Sequence, residues 1–167
     1  MSAPTASGCG RLRPLAVLLA CALSACAIPP ATPLIGSKET SVTARITATP
    51  GLNADNRKRP SPLVLRVYEL AGRNAFDTSD FVSLYERDKD TLAADLVARE
   101  ELVLQPGEVR DWKKTLAPQT RFIAVVAAYR EIERAGWRAV LPIKTVARNP
   151  IVIQAEDLAI KLAPAPQ

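Results

Sequence analysis

The chain contains no histidine. Ser-His-Asp and Cys-His catalysis, His-ligated zinc or iron, and the usual general base near neutral pH are excluded with it. Carboxylates, lysine, tyrosine and serine remain, and no spacing among them marks a catalytic site. The composition therefore points to binding or scaffolding, and not to an enzyme, with no metal and no cofactor expected. Cysteine is scarce: Cys9, Cys21 and Cys26 are the three, all near the start. Everything after them can form no disulfide and carries no thiol chemistry. Aromatic residues make up 5% of the chain, and no basic patch interleaves with them, so no nucleic-acid partner is expected. A long apolar run is also missing. The nine apolar residues at 15–23 reach roughly 14 Å as a helix, about half of a bilayer core.

What is present begins with that short apolar segment. Arg11 and Arg13 precede it and the small residues Ser24 and Ala25 follow, the order of a signal peptide over 1–25. Leu23-Ser24-Ala25-Cys26 resembles the bacterial lipoprotein box. That resemblance implies that Cys26 is diacylated, becomes the first residue after cleavage and is then N-acylated. Leu18-Leu19-Ala20-Cys21 is a second match, but it would leave an apolar region of only about six residues, below the usual range. An ordinary secretory signal with an incidental Cys26 is the competing reading. A cysteine with two or three acyl chains, at about 0.8 kcal/mol per buried methylene, holds a membrane effectively permanently. Lipoproteins of this kind are retained at the inner membrane by Asp after the cysteine. Ala27 stands there, which by the same resemblance implies the outer membrane. Beyond residue 25, 142 residues hold 20 bases against 17 acids, a net +3, and are enough for one domain burying roughly two-thirds of its unfolded surface.

Residues 26–39, with Pro29-Pro30 and Pro33, read as an extended linker. Val42, Ala44, Ile46 and Ala48 then alternate with Thr43, Arg45 and Thr47, a half-buried strand. Residues 49–62 form a long polar loop rich in turn formers and bases, and a second strand is expected over 63–70. The period then changes. Phe81, Leu84 and Tyr85 at i, i+3 and i+4 predict an amphipathic helix over 79–86, capped by Asp77-Thr78, with Asp80 in its first turn. Together with a turn or two at 88–95 that carries Leu92 inward, this makes a helical insert at about 77–95. Further strands are expected over 96–104, over 109–116 at an edge with Trp112, and over 121–129, apolar on both faces and therefore central. Pro142 marks 137–143 as an edge strand or one that ends early. Asn149-Pro150 punctuates before a strand at 151–153, and 158–162 closes a domain spanning 40–163, with a frayed tail at 164–167. About eight short strands with one helical insert predict an all-β, two-sheet β-sandwich.

The pieces Pro60-Ser61-Pro62-Leu63-Val64-Leu65-Arg66-Val67-Tyr68-Glu69-Leu70, Ala75-Phe76, Asp80-Phe81, Leu84-Tyr85-Glu86 and Asp95-Leu96 carry a resemblance. So do Glu101-Leu102-Val103-Leu104-Gln105-Pro106-Gly107-Glu108, Ala127-Ala128-Tyr129-Arg130 and Trp137-Arg138. In this order, behind a lipoprotein box, the chain resembles the outer-membrane lipoprotein of the bacterial type VI secretion system, the TssJ (SciN) family, from about residue 40 to 162. The resemblance implies a transthyretin-like sandwich. It also implies a role: anchoring the membrane complex at the outer membrane, with the domain facing the periplasm, by binding the periplasmic domain of the inner-membrane component TssM. The loop between the first two strands is the family's recognised contact, here 49–62.

Strand direction favours the same loop. The tether enters at the start of the first strand, so loops from odd to even strands gather at the far end: 49–62, 105–109, 130–136 and 155–157. Loops grouped on a rigid sandwich are common binding surfaces. The candidate contacts are Asn53, Asp55, Asn56, Arg57 and Arg59, followed by Arg130, Glu131, Glu133 and Arg134. Their charges would tune encounter rate and specificity; against this stands the reading that they merely keep a loop solvated. Asp88-Lys89-Asp90 looks like the opening of a calcium loop, but Ala93 and Arg99 occupy the positions that need Gly and a bidentate acid, so the acids read as a helix start. The rival for the whole protein is a lipid-anchored binding module for a small molecule or envelope glycan, with Trp137 and Tyr129 as platforms.

Overall fold

The structure, a computed structural model, describes residues 39–166. The predicted signal peptide, Cys26 and the linker up to residue 38 lie outside the described residues. Eight strands run β1 Ser41–Ala48, β2 Leu63–Leu70, β3 Leu96–Leu104, β4 Val109–Thr115, β5 Phe122–Ala127, β6 Arg138–Pro142, β7 Arg148–Ala155 and β8 Ile160–Pro164. They form two four-stranded sheets, in the orders β4-β1-β7-β8 and β3-β2-β5-β6. All neighbours are antiparallel except β1 and β7, which pair in parallel with Ala44 opposite Ile151 and Ile46 opposite Ile153.

The alternation in β1 has its expected consequence: Val42, Ala44, Ile46 and Ala48 are buried, and Thr43 and Arg45 are exposed. They pack with Leu63, Leu65 and Val67 of β2, Ile123, Val125 and Ala127 of β5, and Ile151 and Ile153 of β7 to fill the sandwich. Each such fully buried aliphatic side chain contributes about 1.5–3 kcal/mol relative to exposure. The other faces of β2 and β5 are covered as well. Tyr68, Leu70, Ala124 and Val126 pack against Phe76, Leu84 and Leu92 of the insert between β2 and β3, and this second apolar layer is why β5 is buried on both faces. The insert is three short helices, α1 Asn74–Thr78, α2 Phe81–Glu86 and α3 Asp88–Leu92, followed by a 3-10 turn over Ala93–Asp95.

Three local expectations are corrected. Asp77 and Thr78 do not cap the amphipathic helix; they belong to α1, and Asp80 caps α2 by accepting from Ser83 N–H at 2.9 Å. Asn149-Pro150 does not break the chain before β7 but lies inside it, opposite Val42 and Thr43. A residue's N–H and C=O point to the same side of a strand. The Pro150 carbonyl accepts from Ala165 N–H at 2.9 Å, so the missing proline donor faces the β8 side and β1 loses no bond. β8 also runs further than expected: Ala163 and Pro164 pair with Val152 and Ile151, where a domain end and a tail were expected.

Candidate partner interface

The odd-to-even loops do meet at one end of the sandwich. Gly107 N–H donates to the Thr49 carbonyl at 3.1 Å and Asn53 N–H to the Asp157 carbonyl at 3.2 Å. Gly136 N–H reaches the Leu158 carbonyl at 2.9 Å, and the Thr49 hydroxyl reaches the Asp157 carboxylate at 2.6 Å. Gly51 leaves room for that carboxylate, since a Cβ there would come within 2.6 Å of it. Tyr129 is buried beneath, its hydroxyl donating to the Glu156 carbonyl at 2.9 Å. Burial first, and the charges of Glu156 and Asp157 next, push its phenol far above the ordinary value. A buried Tyr129 is a strut between loops and offers no platform to a ligand.

Asn53 is the pivot of this end and differs from expectation. Its side chain is buried, with 3% of the residue exposed. Nδ2 donates to the Pro62 carbonyl at 2.9 Å, closing its own loop, and Oδ1 accepts from Arg130 N–H at 2.9 Å, fastening the β5–β6 loop. Its φ of +49° lies in the left-handed region that Asn tolerates better than most residues. Asn53 therefore positions the surface and is removed from the residues available to a partner.

Beyond Asn53 the loop forms a self-contained turn. Asp55 accepts from the N–H groups of Arg57 and Arg59, each at 2.9 Å, and pairs with the Arg59 side chain at 2.6 Å. The Arg59 N–H first, its guanidinium second, hold the Asp55 carboxyl below its usual range. Asp55 thus shapes the turn, with 15% of its side chain exposed, while Arg59 is 70% exposed. Asn56, Arg57 and Lys58 project at the tip. Lys58, with φ +58°, was absent from the sequence-derived candidates, although the run Arg57-Lys58-Arg59 was the available signal. Arg130 lies close enough to Asp55 to lower its pKa as well. In the second loop Glu131 pairs with Arg134 at 2.7 Å, and Glu133 is exposed.

The two loops border an open cleft of about 600 Å³ lined by Asp55, Asn56, Lys58, Glu131, Arg134 and Asp157, among others. Arg57, Lys58 and Arg130 have no carboxylate partner among the described residues, so the tip is net basic. Trp137 lies to one side, edge-on to Phe81 at 5.4 Å. Asp88 is buried against Arg99 at the start of α3, a helix-start ion pair. Among the described residues no cluster of three metal-binding side chains occurs, and no helix is long and apolar enough to cross a membrane.

The described residues thus form an all-β, two-sheet sandwich with interlocked, ion-rich loops at one end and the start of β1 at the other. The chain belongs to the type VI secretion lipoprotein family, T6SS-SciN, whose description includes VasD, EvfM and TssJ and whose model matches residues 40–158. Its fold is similar to the type VI secretion lipoprotein TssJ1 from Pseudomonas aeruginosa, at 37% identity and a TM-score of 0.75 over 77% of this chain and 98% of that one. Lip from Serratia marcescens, a membrane-bound component of the type VI secretion system, shares the fold at 22% identity and a TM-score of 0.70, over 75% and 98%. A chain in a solved type VI membrane complex is 26% identical with a TM-score of 0.65, over 74% and 98%. No curated protein matches the sequence.

Proposed function

We propose that this chain, acylated at Cys26 and held at the outer membrane, anchors the type VI secretion membrane complex by binding the periplasmic domain of TssM through its loop end, with the basic tip at Arg57 and Lys58. It acts as a scaffold and not as an enzyme. The observation that carries the reading is the double tie of Asn53, which sets Arg130 beside the Asp55–Arg59 turn and makes one preorganised surface from two loops 77 positions apart. Preorganisation spares ordering entropy on binding, and the unpaired Arg57, Lys58 and Arg130 favour an acidic surface on the partner. Similarity to a chain in a solved membrane complex supports a place in such an assembly.

The test is calorimetric titration of the lipoprotein with the TssM periplasmic domain, beside a variant in which 53–60 is replaced by a Gly/Ser turn. Loss of binding by a folded variant is the expected result. Binding that survives moves the site to other loops, and no binding by the unaltered protein overturns the proposal.

A further inference from the structure

The end opposite these loops has a chemistry of its own. Thr40 gathers it: its carbonyl accepts from Leu116 N–H at 2.9 Å and its hydroxyl from Val146 N–H at 2.8 Å. Ser41 N–H donates to the Ala147 carbonyl at 3.0 Å. The β4–β5 and β6–β7 turns therefore flank the point where the chain enters β1. Val146 stands in the second turn, 60% exposed, with φ +54°, a conformation that β-branched residues rarely adopt. Two shallow hollows meet at Val146, one also lined by Glu39, Lys113 and Arg148, the other by Glu39 and Arg121. Lys144 shares a third with Arg148. These four cations are exposed and make no ion pair among the described residues. Glu39 is the one carboxylate lining the hollows.

We infer that this end is a lipid-binding face, on which Val146 enters the headgroup layer and Lys113, Arg121, Lys144 and Arg148 meet the phosphates of anionic phospholipids. The inference rests on acylation at Cys26 and is independent of the TssM reading. If largely extended, at about 3.1 Å each, the dozen residues after Cys26 would span roughly 35 Å, so the anchor alone would leave the domain free to stand away from the membrane. The same leash holds the basic end at high effective concentration over the lipid, where weak contacts suffice. Each basic group near an anionic surface raises partitioning about fivefold, and the attraction fades within a Debye length of about 8 Å at physiological salt.

The test uses the full acylated lipoprotein in vesicles of phosphatidylcholine, with or without an equal part of phosphatidylglycerol. With Cys26 acylated and the signal removed, Val146→Cys and Asn56→Cys each provide a single thiol for a fluorophore, and aqueous iodide reports its exposure. The expected result is that the label at position 146 loses quenching when phosphatidylglycerol is present, while the label at position 56 does not. Salt at about 1 M, where the Debye length falls to about 3 Å, abolishes the difference, as does K113E combined with K144E and R148E. A label on Thr145→Cys repeats the measurement if Val146→Cys does not fold. Equal quenching in both vesicle types, or a difference that survives salt, overturns the inference. TssM binding by the charge-reversed protein is expected to be unchanged, so the two readings fail separately.

Discussion

Asn53 uses both ends of its amide to tie the chain to itself, at the Pro62 carbonyl and the Arg130 N–H. Replacing it by Ala removes two part-buried hydrogen bonds, each worth about 0.5–1.5 kcal/mol, so urea unfolding of Asn53→Ala is expected to show a loss of about 1–3 kcal/mol. Asn53→Gly relieves the positive φ but restores neither bond. If the bonds are what matters, most of that loss remains; full recovery in the glycine variant would assign the effect to backbone strain. Asp55 makes a prediction in pH. Its folded pKa is depressed, so its contribution to the turn is fully present above the ordinary Asp value near 3.8 and is lost as pH falls through the lower folded value. Amide exchange at Arg57 and Arg59 is therefore expected to stay constant from neutral pH down to about 4, after allowing for intrinsic rates, and to rise below it. No single residue's chemistry marked Asn53 in the sequence: an amide that bridges loops 77 positions apart reads the same as one that faces water. Arg57 and Arg59 were legible as charges on a polar loop, but not that Arg59 is tied to Asp55 while Lys58 projects unpaired.

At the scale of elements, β1, β2 and β3 were legible to their ends: β1 because its apolar period and its burial coincide, β2 and β3 because they are β-rich runs between turn formers. β7 and β8 were not, because Asn149-Pro150 read as a break and the last residues read as a frayed tail. Whether a proline breaks a strand depends on which neighbour its missing donor would have faced, and that is a property of the sheet. The insert was legible as a helix at 79–86, from Phe81, Leu84 and Tyr85, followed by a turn or two at 88–95, which are α2 and α3; α1 was missed because Asp77-Thr78 also reads as an acceptable cap. Its role is to seal the outer face of β2 and β5. Leu84 is fully buried there, and its carbonyl accepts from the Tyr68 hydroxyl at 3.1 Å. Leu84→Ala is expected to cost about 2–5 kcal/mol, measured as a shift in unfolding midpoint, whereas Val82→Ala, on the opposite face of α2 and 52% exposed, is expected to change stability by less than about 0.5 kcal/mol.

At the scale of the whole molecule, the strand directions separate two ends. β1 enters beside the turns after β4 and β6 and leaves towards the loops after β1, β3, β5 and β7. The family model covers residues 40–158, so both ends fall almost wholly within the shared fold, the loop end proposed for TssM and the tether end for lipid. Hydrogen–deuterium exchange of the lipoprotein with and without the TssM periplasmic domain tests that division most directly. Protection is predicted at 54–59 and 130–134, with none at 116–121 or 143–147. Protection confined to the tether end, or spread over neither loop, would contradict it.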